Sequence, residues 1–176
     1  VDEGVDTASA TEAAAAAGGS MERARVLAGD PDLAARRKAF AAVPHQLDGN
    51  GATVIRIVDE LMGLIESAAA PLGAVHEAEI AALDERIARY GERGSGRKQL
   101  EERHKRQLRR HRTDELLAGL TAIAGTYRDV LVSGHATRPK EVVSAVTRIH
   151  RAIESFERNP NEALLLQSLL WSMPVL

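Results

Sequence analysis

Six histidines, one serine set between glycines and a dense run of arginines are the residues here whose types could do chemistry. A metal ion needs clustered imidazoles, thiolates or carboxylates at a spacing that brings them to one point. His76 and Glu79 stand three apart, with Glu77 beside them, but no second histidine follows at helical spacing. His104 and His111 are seven apart and share a helix face, yet Arg and Lys surround them and would repel a cation. They read as surface histidines on a basic helix, and no metal site is expected. Gly94-Ser95-Gly96 has the glycines of a nucleophile elbow without the preceding strand that would expose the serine. Neither a Walker-type phosphate loop nor a dinucleotide-binding glycine motif occurs. Cysteine is absent, which removes thiolate ligands, disulfides and thiol nucleophiles together. No catalytic residue is assigned, no cofactor or small-molecule substrate is expected, and the chain reads as non-enzymatic.

The basic run is a sharper question. Between Arg97 and Arg112, eight Arg and Lys residues stand against Glu101 and Glu102, a local charge of +6. Arg106, Arg109, Arg110 and Arg112 are the residues that could contact phosphates, since displaced counterions are the main nonspecific term in nucleic-acid affinity. No aromatic residue is interleaved for base stacking. A solvated helix face is the other reading of the same run. The chain as a whole carries −2, which argues against general nucleic-acid binding.

The elements that must position these residues are helical. Aromatics are only 3% of the chain, so Leu, Ile, Val and Ala supply the core, and no stretch alternates with period two. Val54, Val58, Leu61, Ile65, Ala68 and Leu72 step by four and three, predicting one buried helix that Pro71 and Gly73 break. Leu116, Leu120, Ile123, Tyr127 and Val130 form a second stripe, on one long helix or on two joined near Thr113. Val142, Val146, Ile149, Ile153 and Phe156 form a third on a helix opened by Pro139. Nearer the start, Ala-rich Thr7 to Ala17 is a short helix, Ser20 caps another, and Asp30-Pro31 opens one that Pro44 closes. Ile80, Leu83, Ile87 and Tyr90 mark a helix before the glycine-rich joint Gly91 to Gly96. The expected fold class is all-α, a helical bundle.

Asn161 is a plausible cap for the closing segment, whose Leu164, Leu165, Leu166, Leu169, Leu170 and Trp171 are apolar nearly all round. Such a helix is central to a core or buried in a partner. Leu164, Leu165, Leu169 and Trp171 are the candidate partner contacts, Trp being enriched at such sites. No apolar run approaches the roughly 20 residues that span a bilayer, and no basic segment precedes an apolar one at the start. A cytoplasmic location, away from membranes, is the simplest expectation. The chain opens on Val rather than Met, which suggests a piece of something longer.

Two stretches carry a resemblance. Val1-Asp2-Glu3, the Ala-rich helix and Gly18-Gly19-Ser20-Met21-Glu22-Arg23-Ala24-Arg25-Val26-Leu27-Ala28 resemble the end of the lid domain in delta-prime subunits of bacterial DNA polymerase III clamp loaders, of the actinobacterial type. Ala152 to Leu166, with Phe156-Glu157-Arg158-Asn159-Pro160-Asn161 at its centre, resembles the last two collar helices of those subunits. Arg36-Arg37-Lys38-Ala39-Phe40 and Thr113-Asp114-Glu115-Leu116 are similar to the same family. The resemblance implies a helical remnant of an AAA+ lid at 1–29 and a collar domain at 30–176, with a polar basic extension around 74–112. It implies a non-hydrolysing subunit of a complex classed as a DNA polymerase, with the delta and gamma/tau subunits as partners and primed DNA met only through the complex. In the ATPase subunits of clamp loaders a Gly-Ser-x-Arg pattern supplies a nucleotide-sensing arginine. Here Gly19-Ser20-Met21 is followed by Glu22, with Arg23 one place later. A carboxylate at that position would repel phosphate, so the resemblance implies a degenerate sensor. Ser20 as a simple N-cap and Glu22 as a first-turn acid account for the same residues.

Overall fold

The computed structural model describes residues 6–16, 19, 21–28, 30, 32–90 and 96–176, a few of them, including Glu22, Arg23 and Tyr90, by backbone alone. The Ala- and Leu-rich periodicity becomes eight helices among the described residues. They are α1 (Thr7–Ala16), α2 (Met21–Ala28), α3 (Leu33–Gln46), α4 (Gly51–Ala68), α5 (Ala70–Tyr90), α6 (Arg97–Val132), α7 (Pro139–Ser155) and α8 (Glu162–Trp171). A 3-10 turn, Phe156–Arg158, lies before α8, and no strand occurs among the described residues. The fold is all-α, a helical bundle.

The chain divides into two compact units, one of Val1–Leu61 with Leu117–Leu176, the other of Met62–Leu116. In the larger unit the predicted stripes face inward. Val54, Val58 and Leu61 of α4, Leu120, Ile123 and Tyr127 of α6, and Val142 and Ile149 of α7 are all buried. α3 meets α6 so closely that a Cβ added at Gly119 would lie 2.4 Å from two ring carbons of Phe40. Thr126 Oγ1 donates to Ala41 O at 2.8 Å alongside that contact. α8 packs on α7, and the Arg148 guanidinium donates to the Ser172 carbonyl where α8 ends. Asn161 caps α8 as its residue type predicts, its side chain accepting from Leu164 N at 3.0 Å. A smaller cluster of Ala13, Leu27 and Leu33 joins α1, α2 and α3.

Several boundaries differ from the sequence expectation, each for a local reason. α3 does not open on Asp30; its first residue is Leu33, and Asp32 sits at the N-cap without a side-chain cap bond. The Asp30 carboxylate accepts instead from Asp32 N and grips the buried Arg36 guanidinium with both oxygens. Pro44 does not close α3, which runs on to Gln46 with Leu47 N donating to Val43 O at 3.2 Å. A proline costs most in a helix interior; within the last turn its buried ring contributes packing. α4 stops at Ala68, ahead of Pro71, which falls in the first turn of α5 where its missing N–H is no loss. Gly73 then lies inside α5, its N–H donating to Ala69 O. α6 passes through Thr113 unbroken.

Tyr127 gives the larger unit a pH signature. Its hydroxyl donates to Pro174 O at 2.8 Å, and burial pushes the phenol's pKa up from its ordinary value. The unfolded chain ionises this tyrosine near pH ~10, while the folded chain keeps it neutral to higher pH. Its contribution is therefore complete below that pH and is lost as pH rises above it. Tyr127→Phe should cost about 1 kcal/mol at neutral pH by leaving Pro174 O without its donor. Denaturant titrations from pH 7 to 11 should show a shallower alkaline loss in the variant. Identical alkaline slopes would contradict this account.

Candidate functional site

Residues 62–116 hold most of the residues with chemical potential. Contacts pair Asp84 with Arg97, Glu79 with Arg103 and His104, and His76 with Gln107. Numbers fall along α5 as they rise along α6, so the two helices run antiparallel as a hairpin. At its centre the His76 and His104 rings stack, centroids 3.9 Å apart and planes within 8°. The two are 6% and 5% exposed. His104 Nε2 lies 2.6 Å from Glu79 Oε2, to which Arg103 also donates at 2.6 Å. The His104 contact first, and Arg103 second, hold the Glu79 carboxyl below the usual carboxylate range. Gln107 Oε1 lies 3.0 Å from His76 Nε2, and the buried His76 Nδ1 has no hydrogen-bond partner among the described residues. His111, half-buried, reaches the last carbonyl of α4, Ala68 O, at 3.0 Å.

These histidines are therefore not surface residues on a solvated helix. α5 covers one face of α6, and each of the three imidazoles bonds through Nε2 to one carboxylate, amide or carbonyl oxygen. No serine or threonine hydroxyl among the described residues bonds to either stacked ring. Nor does any group of three or more His, Asp or Glu among the described residues form a set able to hold a metal ion. The arrangement pins the hairpin together.

The face of α6 away from those histidines carries the basic run. Lys98, Arg103, Lys105, Arg106, Arg109 and Arg110 are exposed, and Arg112 is half-buried. Part of the charge is met locally: Arg97 binds Asp84 and Glu101, Lys105 approaches Glu102, and Arg110 approaches Asp114. Arg106 and Arg109 have no ion pair among the described residues.

On α8 the four proposed contact residues separate. Leu164 and Trp171, seven apart and so on one face, are each 62% exposed. Leu165 is half-buried, and Leu169, at 6%, belongs to the core together with Leu166 and Leu170. Leu169 is buried, so the outward apolar pair is Leu164 and Trp171. The indole rests over the start of α4, where a Cβ at Gly51 would lie 2.9 Å from Trp171 Cζ3. Ile55, one turn further along α4, is 53% exposed and extends the apolar surface there. Ile55 lies off the Val54, Val58 and Leu61 stripe, and an isoleucine at such a position is the sequence signal for this surface.

Of the degenerate sensor residues, Gly19 lies in a turn with φ +85°. Ser20 and the side chains of Glu22 and Arg23 lie outside the described residues, as do Gly91 to Ser95 of the glycine-rich joint. No helix among the described residues is long and apolar enough to cross a membrane. No family model, no curated protein and no solved structure matches this chain.

Proposed function

We propose that this chain is the lid-end and collar region of a delta-prime subunit of a bacterial DNA polymerase III clamp loader, and that it acts by binding neighbouring subunits rather than by catalysis. The observation that supports this most is the exposure of Leu164 and Trp171 on one face of α8, with the indole against the start of α4. A solvent-facing Trp is the residue type most enriched at interface centres, and Leu164 adds apolar area beside it. Partners under this reading are the delta and gamma/tau subunits, in the cytoplasm, with primed DNA reached through the assembled ring and no ATP hydrolysed by this chain. Mixing it with the C-terminal fragments of those subunits should give a stable complex on size exclusion at micromolar concentration. Failure to associate at that concentration would end the proposal.

The exposed basic face of α6 favours a second reading, a helical nucleic-acid-binding module. Replacing Arg106, Arg109, Arg110 and Arg112 by glutamine would then remove up to four phosphate contacts. The slope of log affinity against log salt for duplex DNA should fall by roughly 3 to 4, at ~0.9 per contact. An unchanged slope, or no binding by the parent chain, would eliminate this reading.

A further inference from the structure

One flank of the α5–α6 hairpin opens as a cleft of about 530 Å³. α5 lends Ala82, Leu83 and Arg86 to it, and α6 lends Leu100, Arg103 and Arg106. Both sets recur at three- and four-residue steps, so each is a single stripe of its helix. Of the lining residues Leu83 is buried and Leu100 half-buried, while Ala82, Arg86, Arg103 and Arg106 are exposed. Glu79 also lines the cleft, but its carboxylate is already taken by Arg103 and His104. Of the three lining guanidinium groups, Arg103 is therefore held by Glu79 inside the cleft. Arg86 and Arg106 have no ion pair among the described residues.

We propose that this cleft docks an acidic, leucine-bearing segment of a partner protein. An aliphatic side chain would cover Leu83 and Leu100, while neighbouring carboxylates would meet the forked donors of Arg86 and Arg106. Arginine's planar fork matches a carboxylate with two parallel hydrogen bonds, so direction as well as charge is read. Beyond the cleft the exposed Arg109 and Arg110 continue the positive charge along α6, so a longer acidic segment stays in a favourable field. A nucleic acid fits the cleft less well. Phosphates gain nothing from Leu83 and Leu100, and no lining residue is aromatic, so bases have no stacking surface. The proposal stands on this cleft alone and holds whether or not the chain is a clamp-loader subunit.

The test uses the full chain and three labelled probes followed by fluorescence anisotropy. These are a synthetic helical peptide of Glu and Leu at three- and four-residue spacing, the same peptide with Ser for Leu, and a single-stranded oligothymidine. The Glu-Leu peptide should bind with micromolar affinity. Arg86→Ala with Arg106→Ala should weaken it by about tenfold or more, the scale of losing charge-assisted hydrogen bonds. Lys98→Ala with Lys105→Ala, on the same helix but outside the cleft, should leave it nearly unchanged. The Ser peptide should bind several-fold more weakly. Equal binding by the Glu-Leu and Ser peptides would mean charge attraction only and would overturn the docking proposal. So would peptide binding undiminished in the arginine variant, or tighter binding of the oligonucleotide than of the peptide. Circular dichroism of each variant separates these outcomes from loss of the hairpin, since all four substitutions fall on exposed residues.

Discussion

Phe40→Ala should destabilise the chain by about 3–5 kcal/mol, because it empties a fully buried ring position in a close-packed core. Gly119→Ala tests the same contact from the other side. Alanine favours a helix over glycine by about 1 kcal/mol, so at a free surface this change would stabilise α6. Here the new methyl would press on three carbons of the Phe40 ring, and a crowded core costs about 1–3 kcal/mol. The net effect should be destabilising. In the Phe40→Ala background the obstruction is gone, and Gly119→Ala should become neutral or stabilising. The double-mutant cycle should therefore show coupling of about 1–3 kcal/mol by denaturant titration. Strictly additive losses would mean that α3 and α6 do not meet at these residues.

Removing the outward apolar pair should act on association and leave folding nearly alone. Under the proposed assembly reading, Trp171→Ala combined with Leu164→Ala should weaken binding to the delta or gamma/tau fragment by about 2–4 kcal/mol, roughly 30- to 1000-fold in Kd. Neither side chain is part of the buried core, so the change in unfolding free energy should stay within about 1 kcal/mol. Leu169→Ala is the contrasting variant: it deletes a core side chain and should cost about 2–5 kcal/mol of stability. Calorimetric titration against the partner fragment and thermal melts separate the two effects. Unaltered affinity in the double variant would place the interface elsewhere and take away the main support for the assembly reading.

The helical class and the inward stripes of α4, α6 and α7 were readable from spacing, because burial of one helix face imposes its period directly on residue type. Val58, Leu61 and Ile65 illustrate this, as do Leu120, Ile123 and Tyr127. What spacing does not encode is register between helices distant in the chain. His104 looks like a surface residue among arginines until α5 places His76 over its ring and Glu79 at its nitrogen, some 25 residues earlier. The cleft between Arg86 and Arg106 depends on the same pairing. On α8, leucines on nearly every face left open which side turns inward, and only burial in the fold separates Leu169 from Leu164. Proline does not terminate these helices: Pro44 and Pro71 both sit within helical turns, near ends where a missing donor costs little.

Trp171 is the one tryptophan of the chain, its six-membered ring against Gly51 and the residue 62% exposed. That geometry makes the indole a built-in optical reporter. Solvent relaxation around an open ring shifts its emission to the red, and a protein seated over it would expel that water and move the spectrum to the blue. The occupancy of this face can therefore be followed in an unlabelled sample, without altering the surface being measured.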